Sequence, residues 1–172
     1  MKCRYNFLCS LAAMVLSGCM PAMPQSGRVA LSSYVNERLG FEIGSPGSGW
    51  TFDVPPDMGY VIVRLHRALS PDDPVYQIDA VLAPTANLGP LRYVQSTTVP
   101  TVTNKQGVHF AMACGGAVPT CRFRFNSTRA IVVLHVAIHP KHASYGDRPS
   151  LALSRLAQQR LATVLNLVRL NP

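Results

Sequence analysis

The 172-residue chain carries 16 Lys plus Arg against 8 Asp plus Glu, and 48% of its residues are hydrophobic while only 14% are charged. That composition excludes an intrinsically disordered chain and suits one well-packed domain. The net charge of +8 favours phosphates and carboxylates as partners, yet Arg64, Arg67, Arg92, Arg122, Arg124, Arg129, Arg155, Arg160 and Arg169 form no run of the kind that marks a nucleic-acid-binding tail.

The chain begins with a positive start at Lys2 and Arg4, followed by an apolar run from Phe7 to Leu16 interrupted only by Ser10, and then Leu16-Ser17-Gly18-Cys19. That order is an export signal. The run is too short for a membrane-spanning helix, which needs roughly 20 apolar residues. Ordinary secretory cleavage after Ala12, Ala13, Gly18 or Ala22 is the alternative processing. The Leu-Ser-Gly-Cys ending resembles the lipobox of bacterial lipoproteins, and the resemblance implies cleavage before Cys19 and attachment of fatty acyl groups such as palmitate to it. Several acyl chains, each contributing about 0.8 kcal/mol per buried methylene, make attachment effectively permanent. The residue after the cysteine is Met20 and not aspartate, which by the sorting pattern of that family implies the outer membrane, with the domain facing the periplasm. Loss of Lys2 and Arg4 with the signal leaves 14 minus 8, a mature charge of +6.

Residues 1–18 are therefore read as signal peptide, 19–29 as a lipidated cysteine and flexible tether rich in proline, and 30–172 as one globular domain. Leu31, Tyr34, Val35 and Leu39 stand at helical spacing before Gly40, which predicts a short helix over 30–39, with extended structure as the alternative. After a Gly- and Pro-rich loop at 44–49 come seven strand-like segments, Trp50 to Val54, Tyr60 to His66, Val75 to Leu82, Leu91 to Thr98, Val108 to Ala113, Arg122 to Phe125 and Arg129 to Ile138. Their spacing suggests an antiparallel meander. The last is the strongest, with Val132, Leu134, Val136 and Ile138 on one apolar face, and is expected at the centre of the sheet. From Pro149 to Val168 the spacing is helical again, with Leu153, Leu156, Leu161, Val164 and Leu165 broadly on one side. The expected fold is α+β: an antiparallel sheet of about five to seven strands covered by a C-terminal amphipathic helix, with a short N-terminal helix. The order of elements and the segment Trp50-Thr51-Phe52-Asp53-Val54-Pro55 resemble PsbP-like α-β-α sandwiches, a resemblance that implies no catalytic residue.

Cys3 and Cys9 leave with the signal and Cys19 takes lipid, so Cys114 and Cys121 are the thiols of the domain. An exported pair reads as one disulfide, and the intervening Gly-Gly-Ala-Val-Pro-Thr suits a tight reversal. The competing role for Cys114, a nucleophile with a distant histidine, is disfavoured by its neighbouring partner. In His135-x-x-x-His139-x-x-His142, positions 135 and 139 of a strand stand roughly 13 Å apart, so no metal site is expected. Met20 and Met23 are a thin basis for copper binding. Asp72-Asp73 between prolines reads as a solvated turn. No cofactor signature occurs.

What remains is surface. Arg64, Arg67, Arg92, Tyr60, Tyr76, Tyr93 and Phe110 are residue types that anchor protein interfaces, although strand aromatics also serve as ordinary cross-strand partners. The expected function is that of a non-enzymatic binding or accessory lipoprotein of the cell envelope, in contact with the membrane through its lipid and with an envelope protein through a sheet face or edge. The alternatives are a module for an anionic lipid or glycan and a hydrolase using His135 or His139 with Asp53 or Asp79.

Overall fold

A computed structural model describes residues 27–30, 32–54, 60–68, 70, 72–83, 100–145 and 151–171. The fold is mostly β, with thirteen strands in three antiparallel sheets, a single α-helix and one short 3-10 turn (Pro140–His142) among the described residues. The expected α+β class is thereby corrected, and so is the N-terminal helix. That region forms β1 (Gly27–Ala30), β2 (Ser33–Asn36) and β3 (Phe41–Gly44), which join β13 (Val168–Leu170) in a four-stranded sheet of order β1-β2-β3-β13.

The reason is local. Tyr34 and Asn36 are buried while Ser33 and Val35 are half-buried, the period of two of a strand. Asn36 then starts the turn: its Oδ1 accepts from the Leu39 amide at 2.9 Å and its Nδ2 donates to Tyr34 Oη at 2.9 Å. Asparagine in that role competes with helix. Gly40, which would serve as a helix stop, instead closes the turn at φ +73° with its amide bonded to Asn36 O at 2.8 Å.

The large sheet comprises β4 (Trp50–Asp53), β5 (Val61–Arg67), β6 (Val75–Leu82), β7 (Thr101–Thr103), β8 (His109–Gly115), β9 (Thr120–Asn126) and β10 (Ile131–Ile138), in the order β4-β5-β6-β10-β9-β8-β7. It is not one meander. After β6 the chain passes to the far edge and returns strand by strand, so that β10, with its wholly buried alternate face, takes the central position against both β6 and β9. The expected strand Leu91 to Thr98 lies outside the described residues. The hairpin β8–β9 places Cys114 opposite Cys121, and a disulfide joins them across it with Cα atoms 4.1 Å apart. Closing so short a loop stabilises by roughly 2.5 kcal/mol in the chain-entropy picture.

The predicted C-terminal helix is shorter than its apolar spacing suggests. Leu151–Leu153 is a strand, β12, paired with β11 (Ala143–Tyr145), and α1 spans Arg155–Leu165. Ser154 caps it, its hydroxyl accepting from the Ala157 amide at 3.2 Å. Beyond Asn166 the chain straightens into β13, placing Val168 against Ile43.

One core unites these parts. Ala157, Leu161, Val164 and Leu165 of α1, Tyr34, Phe41, Ile43 and Val168 of the small sheet, and the inward side chains of β5, β6, β8, β9 and β10 form a single buried cluster. Ring contacts run through it from Tyr34 to Phe41 (6.2 Å), Phe41 to Phe125 (5.9 Å) and Phe125 to Phe110 (5.4 Å), tying small sheet to large. Helix and small sheet thus occupy one side of the large sheet.

Candidate functional site

Among the described residues, the opposite side of the large sheet mixes charged and polar side chains with half-buried apolar ones such as Val133, Ala137, Ala111 and Ala113. Because alternate residues face outward, the register lines up one row across five strands: Asp53 opposite Arg64, Arg64 opposite Asp79, Asp79 opposite His135, and His135 opposite Arg122. Arg64 grips Asp79 with two bonds, Nε to Oδ1 at 2.7 Å and Nη2 to Oδ2 at 3.0 Å, and Gln77 Nε2 adds a third at 2.9 Å. Such a fork is the stronger kind of ion pair. It holds the Arg64 guanidinium above its ordinary pKa, chiefly through the Asp79 hydrogen bonds. His135 is pushed below the usual imidazole range, first by burial and then by the charge of Arg122, against the opposing pull of Asp79.

Beside this row Asp53, Arg64, His66, Arg67, Tyr76 and Gln77 line a shallow depression of about 360 Å³. A register irregularity between Ala137 and Ile138, opposite Val75 to Gln77, accounts for the presence of both Tyr76 and Gln77 on this face. A second open groove of about 500 Å³ lies between α1 and Ser70, Asp72, Asp73 and Pro74, with Arg67, Leu156 and Arg160 also in its lining. There Arg67 Nη1 and Arg160 Nη2 converge on Asp73 Oδ2 at 2.6 and 3.3 Å, while Asp73 Oδ1 accepts from the Val75 amide at 3.0 Å. Asp72, read with Asp73 as one solvated turn, is exposed and pairs with Lys141 at 3.1 Å, but Asp73 is a half-buried anchor between strand and helix.

Arg64, Arg67 and Tyr76, singled out as interface residues, are brought together in the depression. Tyr60 is 65% exposed and belongs to neither lining. Phe110 is fully buried in the core and is removed from the interface set. Cys19, Arg92 and Tyr93 lie outside the described residues. The carboxylate of Asp79 is engaged by Arg64 and Gln77 and makes no hydrogen bond to His135, so it is not free to orient the imidazole for general-base work. His139 and His142 have ring centroids 6.3 Å apart, with His142 Nδ1 against Ser154 Oγ at 3.3 Å. Among the described residues no three His, Cys, Asp or Glu side chains gather as a metal site.

Sequence reading missed Arg122, Arg124, Asn104 and Arg160 as organised residues. The first two become neighbours of His135 and Val133 only through the register of β9 with β10. Compared with known proteins, the chain matches no family model, no curated protein and no solved structure.

Proposed function

We propose that this chain is a lipoprotein anchored in the outer membrane through Cys19 and facing the periplasm, where it serves as a non-enzymatic binding or accessory protein of the cell envelope. The observation that carries the anchoring is Leu16-Ser17-Gly18-Cys19 behind a basic start and a short apolar run. The Cys114–Cys121 disulfide suits an oxidising compartment. Binding as the activity is supported by the outward face of the large sheet, where Arg64, Arg67 and Tyr76 gather in an open depression and the carboxylate next to His135 is committed to an arginine.

Metabolic labelling with palmitate tests the anchor. Incorporation in the natural chain, with loss of label and release from the envelope fraction in Cys19→Ala, is the expected outcome; an unlabelled chain, or a variant that still sediments with envelopes, overturns it. A second reading, a module for an anionic lipid or glycan, is favoured by the groove where Arg67 and Arg160 meet beside the 48%-exposed Leu156. Native mass spectrometry separates the two: a co-purified anionic lipid supports the module and a clean apo mass the docking protein.

A further inference from the structure

The basic side chains on the described surface divide into two kinds. Arg28, Arg64, Arg67, Lys141 and Arg160 each hold a carboxylate. Arg122 and Arg124 of β9 hold none and make no side-chain hydrogen bond to a described residue, as is also true of Lys105, Arg129, Arg155 and Arg169, but they alone stand two apart on one face of one strand. Their cross-strand neighbours explain this. Arg122 stands between Ala113 and His135, and Arg124 between Ala111 and Val133, none of which accepts from a guanidinium as a carboxylate does. With small or apolar residues beside them, Arg122 is exposed and Arg124 half-buried.

Two residues apart on a strand, these guanidiniums are spaced by roughly 6.6 Å along β9. Carboxylates at alternate positions of an extended peptide have the same spacing, and each pair can form the two-bonded arginine–carboxylate fork. About four strand spacings away, roughly 19 Å at the usual interstrand distance, the same row ends in Asp53, an exposed carboxylate without a hydrogen bond to a described residue. An acidic strand laid along β9 reaches both guanidiniums without approaching Asp53, whereas a flat anionic bilayer would meet that carboxylate as well.

We infer that the open face of the large sheet docks an extended acidic segment of a partner protein, whose alternate Asp or Glu carboxylates are held by Arg122 and Arg124. The inference rests on the docking reading above and names the chemistry of the partner. The test is a fluorescence anisotropy titration of the full-length protein, in a neutral detergent, with a labelled peptide alternating Glu and Thr. Binding that weakens with added salt, falls about tenfold in R122Q/R124Q, and survives in the charge-matched R155Q/R169Q is the expected result. Equal weakening in both double variants means attraction by net charge alone and overturns the inference. So does failure to bind the peptide together with Arg122- and Arg124-dependent binding to phosphatidylglycerol vesicles, which assigns the face to lipid. Since Arg122 and Arg124 support no internal ion pair, an unchanged melting temperature of R122Q/R124Q verifies that the loss is one of binding. Palmitate labelling reads the anchor separately, so either conclusion can fail without the other.

Discussion

His135 combines three influences that can be separated by pH. Its imidazole is half-buried between Asp79 and Arg122, and burial and the arginine together outweigh the aspartate, lowering its pKa from the ordinary 6.5. Between the lowered value and about 6.5 the unfolded chain binds more protons at this position than the folded chain, so folding stability rises with pH across that interval. Above about 6.5 the contribution is flat; as acid carries the pH below it, stability drains away until the folded imidazole is itself protonated. Urea unfolding at a series of pH values is expected to show a smaller acid loss in His135→Gln than in the natural chain. Equal slopes would mean that the histidine is as solvated folded as unfolded. The sequence placed His135 correctly on a strand, but its neighbours come from two other strands, and register is not written in local spacing.

At the scale of elements, the N-terminal region shows why a periodic reading of a short window fails. Four apolar positions between 31 and 39 satisfy a helix as well as two strand ends separated by a turn. Asn36 and Gly40 decide between them: the first by bonding back to the Leu39 amide, the second by adopting φ +73°, a conformation that is expensive for any residue with a Cβ. A Cβ at Gly40 would also collide with Thr128 Oγ1, since this turn packs on the loop before β10. Gly40→Ala is therefore expected to destabilise by about 2 kcal/mol or more, read as a fall in the denaturant midpoint. A helix ended by Gly40 would carry the same left-handed penalty but not the collision with Thr128, so a loss beyond that penalty reports the observed packing. By contrast β10 and the hairpin around the cysteines were legible, because eight residues of sustained alternation and a Gly-rich reversal between two cysteines each admit few conformations.

For the molecule as a whole, the decisive residue is one that no motif announces. Asn104, 9% exposed, sits after β7, where its Oδ1 accepts from the Gln106 and Val108 amides at 3.0 and 2.9 Å. Its Nδ2 donates to the Leu165 and Val168 carbonyls at 2.8 and 2.9 Å. All four bonding positions of the amide are thus filled, and the far edge of the large sheet is fastened to the end of α1 and the start of β13. Asn104→Ala leaves those groups without their partner and is expected to lower stability by about 2–3 kcal/mol. Asn104→Asp, which cannot donate to the two carbonyls, is expected to fare no better. A variant as stable as the natural chain in thermal unfolding would show that water replaces the amide. Such long-range ties were illegible in sequence, since 61 and 64 residues separate the partners.

The position of β13 beside β3 has a consequence for how the chain comes to be folded. A polypeptide that emerges amino end first, from a ribosome or from a translocation channel, delivers β1, β2 and β3 early but β13 only after the whole large sheet and α1. Until then the edge of β3 stays unpaired, and Phe41 and Ile43 lack the cover of β13. Closure of the small sheet therefore waits for β13 to arrive behind the strands of the large sheet and α1, so the amino-terminal strands cannot complete their own sheet first.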